Sequence, residues 1–444
     1  MDYNASEPLS VPASSTGVLL LGVYTTSGEE AECDRSLSEL ASLVETALSE
    51  PEIRFFSMTQ CRKAPEAATY IGEGKAREAA ELCKNNDITL AVFDAELSPS
   101  QIKNLEELLN APFVADEKNI RLIDRTMLIL DIFAAHAVTG EGKLQVEIAQ
   151  LKYTSPRLTG QGVSLSRQGG SAVVGSRGPG ETKLETDRRH IRARIQALKE
   201  QLAVLEKERA VKRSKREKSG IPTIAIAGYT NAGKSTLLNY LTDAGILAEN
   251  KLFATLDPTV RRLTLPSGRE VLLADTVGFI HKLPHGLVEA FRSTLDEVRY
   301  ADALLIVTDA SDPEYELKLR VTEETLASLE AVGKPTLYVF NKADKVETRL
   351  PQELLLSRDA VNVSALTGEG IDDLLALVDD LLMRSKRRVC FLFPFDVQGA
   401  ALSELYKNAT VESVEYTDGG AKVTVLVDPK QLGRYQNYIW EEEA

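Results

Sequence analysis

Thr223-Ile-Ala-Ile-Ala-Gly228-Tyr-Thr-Asn-Ala-Gly233-Lys234-Ser235-Thr236-Leu-Leu238 runs from an apolar strand pattern through a glycine-bearing loop into a helical pattern. Its centre fits G-x-x-x-x-G-K-[ST], and it lies between a strand and a helix, the context that motif requires. The glycines let the backbone turn so that the N–H groups of Gly228, Tyr229, Thr230, Asn231, Ala232 and Gly233 can face phosphate oxygens, and the helix N-terminus adds a favourable dipole. Lys234 is placed to reach the β/γ-phosphates and Ser235 to ligate Mg²⁺, with Thr236 beside it in the same turn.

Downstream, strand patterns alternate with helical ones at Thr223–Ala227, Val260–Leu265, Glu270–Ala274, Ala303–Thr308, Thr336–Phe340 and Ala360–Val363. Repeated βα alternation predicts an α/β fold with a doubly wound, mostly parallel sheet, a Ras-like P-loop G domain. Three further motifs sit at strand ends. In Asp275-Thr-Val-Gly278 the carboxylate can hold Mg²⁺ through water, and the Gly278 N–H can sense a γ-phosphate. In Asn341-Lys342-Ala-Asp344 the terminal carboxylate can accept from the N1–H and the 2-amino group of guanine, which adenine cannot supply. Ser364-Ala365-Leu366 can complete the base pocket. The set predicts binding of GTP and GDP and hydrolysis of GTP.

Between the first two motifs, Thr255 in Phe253-Ala-Thr-Leu-Asp-Pro258 is the candidate switch threonine for Mg²⁺ and the γ-phosphate, with Thr259 as the alternative. Lys234, Thr255 and Gly278 are the expected catalytic groups. Phe279 follows Gly278, where many small GTPases place a water-orienting glutamine, so slow intrinsic hydrolysis is expected. P-loop GTPases with an asparagine at the position of Asn231 resemble a class that binds K⁺ beside the phosphates, which leaves K⁺ open as a second cation. His281 and His285 are four residues apart but separated by Pro284, so they are read as switch-loop residues rather than a metal pair. Gly72-Glu-Gly74-Lys75 carries no full phosphate-binding pattern and is read as a turn into a helix, with a second nucleotide site at Lys75 as the alternative.

The rest of the chain sets the context. With 444 residues, several domains are expected. A net charge of −14 argues against a protein that coats nucleic acid or anionic membrane indiscriminately. Four scattered cysteines support neither a disulfide framework nor a zinc site. No run of apolar residues is long enough for a membrane span, and Met1–Thr16 lacks a leader pattern, so a cytoplasmic protein is expected; a monomer is the expected state. The divisions read along the chain are a disordered start at 1–16, an α/β domain at 17–119, a helical hairpin at 120–219, the G domain at 220–386 and a small α+β domain at 387–444.

Charge singles out the hairpin. Leu144, Ile148 and Leu151 keep helical spacing before a Gly/Ser-rich stretch, and Leu184, Ile191, Ile195, Leu198, Leu202 and Leu205 follow an approximate heptad register after it. No acidic residue lies between Ile148 and Gly180, whereas Lys152, Arg157, Arg167 and Arg177 are basic. From Ile148 to Lys218 there are 17 basic and 7 acidic side chains, a balance of +10 that leaves −24 for everything else. An acidic protein with one basic arm is suited to a directed contact with RNA, for which Arg157, Arg167 and Arg177 are the candidates.

Several strings resemble the HflX family of ribosome-associated GTPases. They are Tyr70-Ile-Gly-Glu-Gly-Lys75, Phe93-Asp-Ala-Glu-Leu-Ser-Pro-Ser-Gln101, Asp124-Arg-Thr with Leu128-Ile-Leu-Asp-Ile-Phe133, Glu141-Gly-Lys-Leu-Gln-Val-Glu-Ile-Ala-Gln-Leu-Lys-Tyr153, Arg177-Gly-Pro-Gly-Glu-Thr182 with Leu184-Glu-Thr-Asp-Arg-Arg189, and Phe253 to Pro258. The chain departs from the usual pattern in a longer loop, Gly169 to Gly175, and at His136, where the family often has a basic or amide residue. The resemblance implies a protein that binds the large (50S) ribosomal subunit in its GTP state, pushes the hairpin toward the peptidyl-transferase region and dissociates stalled or idle ribosomes under stress. It also implies ATP hydrolysis through the N-terminal region with remodelling of ribosomal RNA. A ribosome-independent, protein-binding switch remains the alternative from another class.

Overall fold

The structure is a computed structural model that describes residues 17–48, 52–113, 119–160, 179–242, 252–253, 259–282, 292–346, 359–384, 387–427 and 435–440. The expected disordered start, residues 1–16, lies outside them. The chain divides into two units. One comprises Met1–Ala210, Leu247–Pro258 and Thr276–Asp296; the other comprises Val211–Ile246, Thr259–Asp275 and Glu297–Ala444.

The first unit is built on a four-stranded parallel sheet. Its strands are β1 (Gly17–Tyr24), β2 (Arg54–Cys61), β3 (Leu90–Phe93) and β4 (Arg121–Asp124), in the order β2-β1-β3-β4. Alternate side chains of β1 serve opposite faces, as the strand period requires. Leu19 and Leu21 join Ala91 and Phe93 in a core with α2 (Glu73–Asn85) and α3 (Pro99–Asn110). On the other face α1 (Glu30–Leu48) comes so close that a Cβ on Gly22 would lie 2.7 Å from Cys33 Sγ. α3 begins on a reciprocal cap between Ser98 and Gln101, and α4 (Arg125–His136) is capped by Asp124, which accepts from the Met127 N–H. The sheet thus extends to Asp124, beyond the boundary expected at residue 119.

The hairpin follows. α5 (Gly140–Thr154) packs against the long helix Pro179–Ser219 through Leu144, Ile148 and Leu151 on one side and Ile191, Ile195, Leu198 and Leu202 on the other. Arg194 pairs with Glu147 at 2.8 Å and Arg209 with Glu141 at 2.9 Å, so later residues of one helix meet earlier residues of the other, an antiparallel arrangement. At 41 residues the long helix reaches about 60 Å. The Gly-rich tip, 161–178, lies outside the described residues.

Burial within the first unit carries a pH-dependent cost. Asp131 on α4 is pushed up to about 6 from an ordinary 3.8, because burial outweighs the attraction of Arg121. A carboxyl whose folded value is raised is neutral in both states at low pH. The folded state loses stability as pH rises from 3.8 toward 6, and the loss is complete above that. Asp131→Asn should therefore raise stability at pH 7.5 by on the order of 2 kcal/mol and change little at pH 4, measured as urea midpoints at the two pH values.

The second unit carries a six-stranded sheet in the order β10-β9-β8-β5-β7-β6. β5 (Thr223–Gly228), β7 (Glu270–Asp275), β8 (Ala303–Asp309), β9 (Thr336–Asn341) and β10 (Ala360–Asn362) are parallel, and β6 (Thr259–Thr264) runs antiparallel to β7 at the edge. This is the doubly wound, mostly parallel sheet that the alternation predicted. Ile224, Ile226, Leu273, Leu305, Val307 and Val339 form its core with Leu237, Leu238, Leu374 and Val378 from flanking helices. A third, antiparallel sheet, β11 (Arg387–Phe393), β13 (Gly420–Val427) and β12 (Thr410–Thr417), packs on the helix Gln398–Asn408.

Candidate functional site

Strands β5, β8 and β9, parallel and adjacent in the order β9-β8-β5, bring their C-terminal ends to one end of the second unit's sheet, where ligands of such folds bind. Gly228 closes β5 with φ +152°, and a Cβ there would stand 2.1 Å from the Val307 carbonyl oxygen of β8. Gly233 has φ +90°, and a Cβ would lie 2.2 Å from Asn341 Nδ2. Both positions therefore exclude any side chain, and between them Asn231 takes φ 59°, a conformation asparagine tolerates. The motif glycines are thus required by the neighbouring strand ends as well as by the phosphate.

Asn341 ties three segments together. Its Nδ2 donates to the Ala232 carbonyl at 2.9 Å, and its Oδ1 accepts from the Ala365 N–H at 3.0 Å. Ser364 Oγ, in the turn after β10, donates to Asp344 Oδ1 in the turn after β9 at 2.6 Å and accepts from the Thr367 N–H at 3.2 Å. Asp344 itself is exposed, so its carboxylate is oriented but accessible. Lys342 sits in the left-handed region at φ 62°, and its ammonium pairs with Asp309 at 2.7 Å. Burial works against the Asp309 charge, but hydrogen bonds from Lys342 and Ser311 hold its carboxyl below the ordinary value. Leu366 is 76% exposed, an apolar side chain left at the rim beside the Ser364 turn.

The phosphate end is built from the helix Lys234–Thr242 and the end of β7. Lys234 is buried and donates from Nζ to the Tyr229 carbonyl at 2.8 Å, inside the loop it belongs to. Ser235 Oγ donates to Asp275 Oδ2 at 2.8 Å, which brings together two hard oxygen donors of the kind Mg²⁺ takes. Thr230 Oγ1 is buried with no protein partner, so the loop holds a polar group suited to a ligand oxygen. Thr236 is half-buried in the first turn of the helix.

Burial pushes Lys234 down to about 8, with the Asp275 charge opposing. An anionic phosphate beside the amine favours the charged form again. Nucleotide binding should then take up a proton above pH 8, and GDP affinity should fall about tenfold per pH unit there, because the amine must first be protonated. Calorimetry at pH 9 in two buffers of different ionisation enthalpy checks this, and equal heats in both would remove the idea.

Other expected site residues fall in the first unit or beyond description. Gly278 and Phe279 are buried in the first unit, three and four residues along the chain from Asp275. Thr255, Arg167, Arg177 and His285 lie outside the described residues. Arg157 is described, and its guanidinium is committed inward: it stacks over the Tyr153 ring at 3.4 Å, pairs with buried Asp124 at 3.3 Å and donates to the Leu97 carbonyl at 2.8 Å. That geometry makes Arg157 a brace between the end of α5 and the end of β4, in place of the exposed RNA contact expected of it. Gly72 caps α2, its N–H bonded to Gln60 Oε1 at 2.9 Å, and Lys75 pairs with Glu78 at 3.1 Å, as a turn into a helix requires. Among the described residues no cluster of His, Cys, Asp and Glu forms a metal site. Sequence reasoning passed over Asp309, although its place at the C-terminal end of a buried strand was a usable signal.

Residues 34–134 match the family model "GTP-binding GTPase N-terminal", 136–216 match "GTP-binding GTPase Middle Region", and 223–342 match "50S ribosome-binding GTPase". GTPase HflX of Caldanaerobacter subterraneus subsp. tengcongensis is 47% identical over 92% of this chain and 91% of its own. GTPase HflX of Escherichia coli is 41% identical over 92% of each. Among solved structures, a GTP-binding protein from Sulfolobus solfataricus in complex with GDP aligns at 25% identity over 83% of this chain and 99% of that one, with a TM-score of 0.43.

Proposed function

This chain belongs to the HflX family of GTPases, and from that premise we propose that its GTP cycle drives binding to the large ribosomal subunit and dissociation of stalled or idle ribosomes under stress. The observation that supports the reading is that one chain carries both the ordered GTPase motifs and a long antiparallel hairpin within the segment that holds its basic excess. A duplex or folded RNA repels the −24 carried by the rest of the chain and attracts the +10 arm, so contact is confined to the arm.

In this reading the P-loop amides and Lys234 hold the phosphates, and Asp344 selects guanine. Ser235, with Asp275 through water and Thr255, would hold Mg²⁺, and the ion would supply charge neutralisation at the transferring phosphate. Asn231 is the candidate ligand for a K⁺ ion. The γ-phosphate holds Gly278 and Thr255 in one arrangement and its loss releases them, which is the switch. Phe279, 1% exposed, cannot orient water, so the missing group comes from the bound subunit or another switch residue.

Sedimentation of intact ribosomes with the protein tests the proposal. Separation into subunits with GTP or a non-hydrolysable analogue, and not with GDP, is the expected result; intact ribosomes under every condition would overturn it. Charge reversal at Arg167 and Arg177 together should weaken subunit association and lower the slope of log K against log salt by about two.

A further inference from the structure

Lys282 closes the described part of the segment that follows Gly278, and everything about it is tied to the N-terminal α/β domain of the same unit. Its ammonium lies 2.8 Å from Asp94 Oδ2 and 3.0 Å from Ser36 Oγ. Asp94 Oδ1 accepts from Arg125 Nη1 at 2.7 Å, and Arg125 Nη2 reaches both Glu39 and the His281 carbonyl, the latter at 3.0 Å. Arg125 and Asp94 are almost wholly buried, whereas Lys282 is 42% exposed in its side chain. Two cations and two carboxylates therefore share one cluster, drawn from α1, the end of β3, the start of α4 and the switch segment.

Two features set this cluster apart from an ordinary structural ion network. Lys282 holds φ 54°, a left-handed conformation that a lysine adopts only when contacts fix it. The second feature lies eight residues along α4, where Phe133 meets Phe253 edge-to-face at 4.7 Å, and Phe253 too has positive φ, 57°. Phe253 stands two residues before Thr255 and Lys282 four residues after Gly278. One helix thus touches the chain on the flank of each candidate switch residue, at its first turn through Arg125 and near its last through Phe133.

We propose that the Arg125–Asp94–Lys282 cluster is an intramolecular reader of the bound nucleotide, made in one nucleotide state and broken in the other, through which that state reaches α1 and α4. Phe279 and Ile280, each 1% exposed, fill the short span between Gly278 and the cluster, so a shift of Gly278 is not absorbed by a loose linker. Linkage makes the coupling reciprocal: contacts present in only one state must bias the affinity for the nucleotide that favours it. This rests on the GTPase reading alone and is independent of the ribosome.

The test uses the full chain without ribosomes. The ratio of dissociation constants for GDP and a non-hydrolysable GTP analogue is measured for the parent, Lys282→Met, Asp94→Asn and the double variant, with Lys103→Met, which removes an exposed pair with Glu107, as control. Lys282→Met is the decisive variant because the partly exposed side chain can be removed without opening the core. A change in the ratio of about fivefold or more in each single variant is expected; because Asp94→Asn also weakens the Arg125 pair, the double variant should change no further than Asp94→Asn alone. A ratio within twofold of the parent in Lys282→Met would overturn the proposal. Amide exchange of α1 and α4 gives a second readout: a difference between GDP and analogue that vanishes in Lys282→Met supports the reader, and one that persists unchanged overturns it.

Discussion

Lys234→Ala is expected to lower single-turnover GTP hydrolysis by at least ~10²–10³-fold at saturating nucleotide, the loss that follows removal of one preorganised donor from developing charge. The side chain is 6% exposed and bonded to the Tyr229 carbonyl at 2.8 Å, so its amine is already held inside the loop that faces the phosphates. An ammonium there acts in a poorly solvated setting, where a point charge is worth far more than on the surface. Alanine removes the charge and leaves the loop amides, so binding should weaken less than turnover. Unchanged far-ultraviolet circular dichroism and residual GDP binding would separate this loss from unfolding. Hydrolysis within tenfold of the parent would show that Lys234 does not face the γ-phosphate. The same variant bears on the N-terminal region: ATP turnover that survives it must come from a second site.

How much of this was legible before the structure depends on how local each signal is. The phosphate loop, the strand ends and the hairpin register are patterns within ten to forty residues, set by backbone sterics and helical period, and they were readable. β2 was not read: Arg54–Cys61 carries polar and apolar residues without clean alternation, because it lies at a sheet edge and is only half covered. β4 was missed for another reason. It has four residues and runs directly into α4, so its pattern merges with the helix that Asp124 caps.

Pairings across long separations were beyond reach altogether. Arg157 reads as one more basic residue of the arm until Asp124 is seen 3.3 Å away, 33 residues earlier in the chain. Asn341 reads as a base contact, yet its amide joins Ala232, 109 residues before it, to Ala365, 24 residues after it. Composition and spacing report which chemistry a segment carries. They do not report which charges have been neutralised by folding, and that distinction separates an exposed arginine from a brace.

Asp344→Asn is expected to exchange the preferred base. The carboxylate is positioned to accept from the N1–H and the 2-amino group of guanine, and hydrogen bonds to a charged group contribute about 1.5–3 kcal/mol each. An amide in its place sets an NH₂ against the 2-amino group, two donors facing one another, so GTP affinity should fall by about 10²–10⁴-fold. Xanthine carries an oxygen at that position, which the amide can satisfy. Ser364 matters here, because its hydroxyl donates to Asp344 Oδ1 at 2.6 Å, and the same donor favours the asparagine orientation that keeps oxygen toward Ser364. Xanthosine triphosphate should therefore bind the variant at least tenfold better than GTP does, measured by competition against a fluorescent xanthine nucleotide. If both triphosphates lose affinity equally, the carboxylate serves the turn between β9 and the Ser364 loop and does not read the base. If neither loses any, guanine is recognised elsewhere, and the exposed Leu366 rim becomes the first place to look.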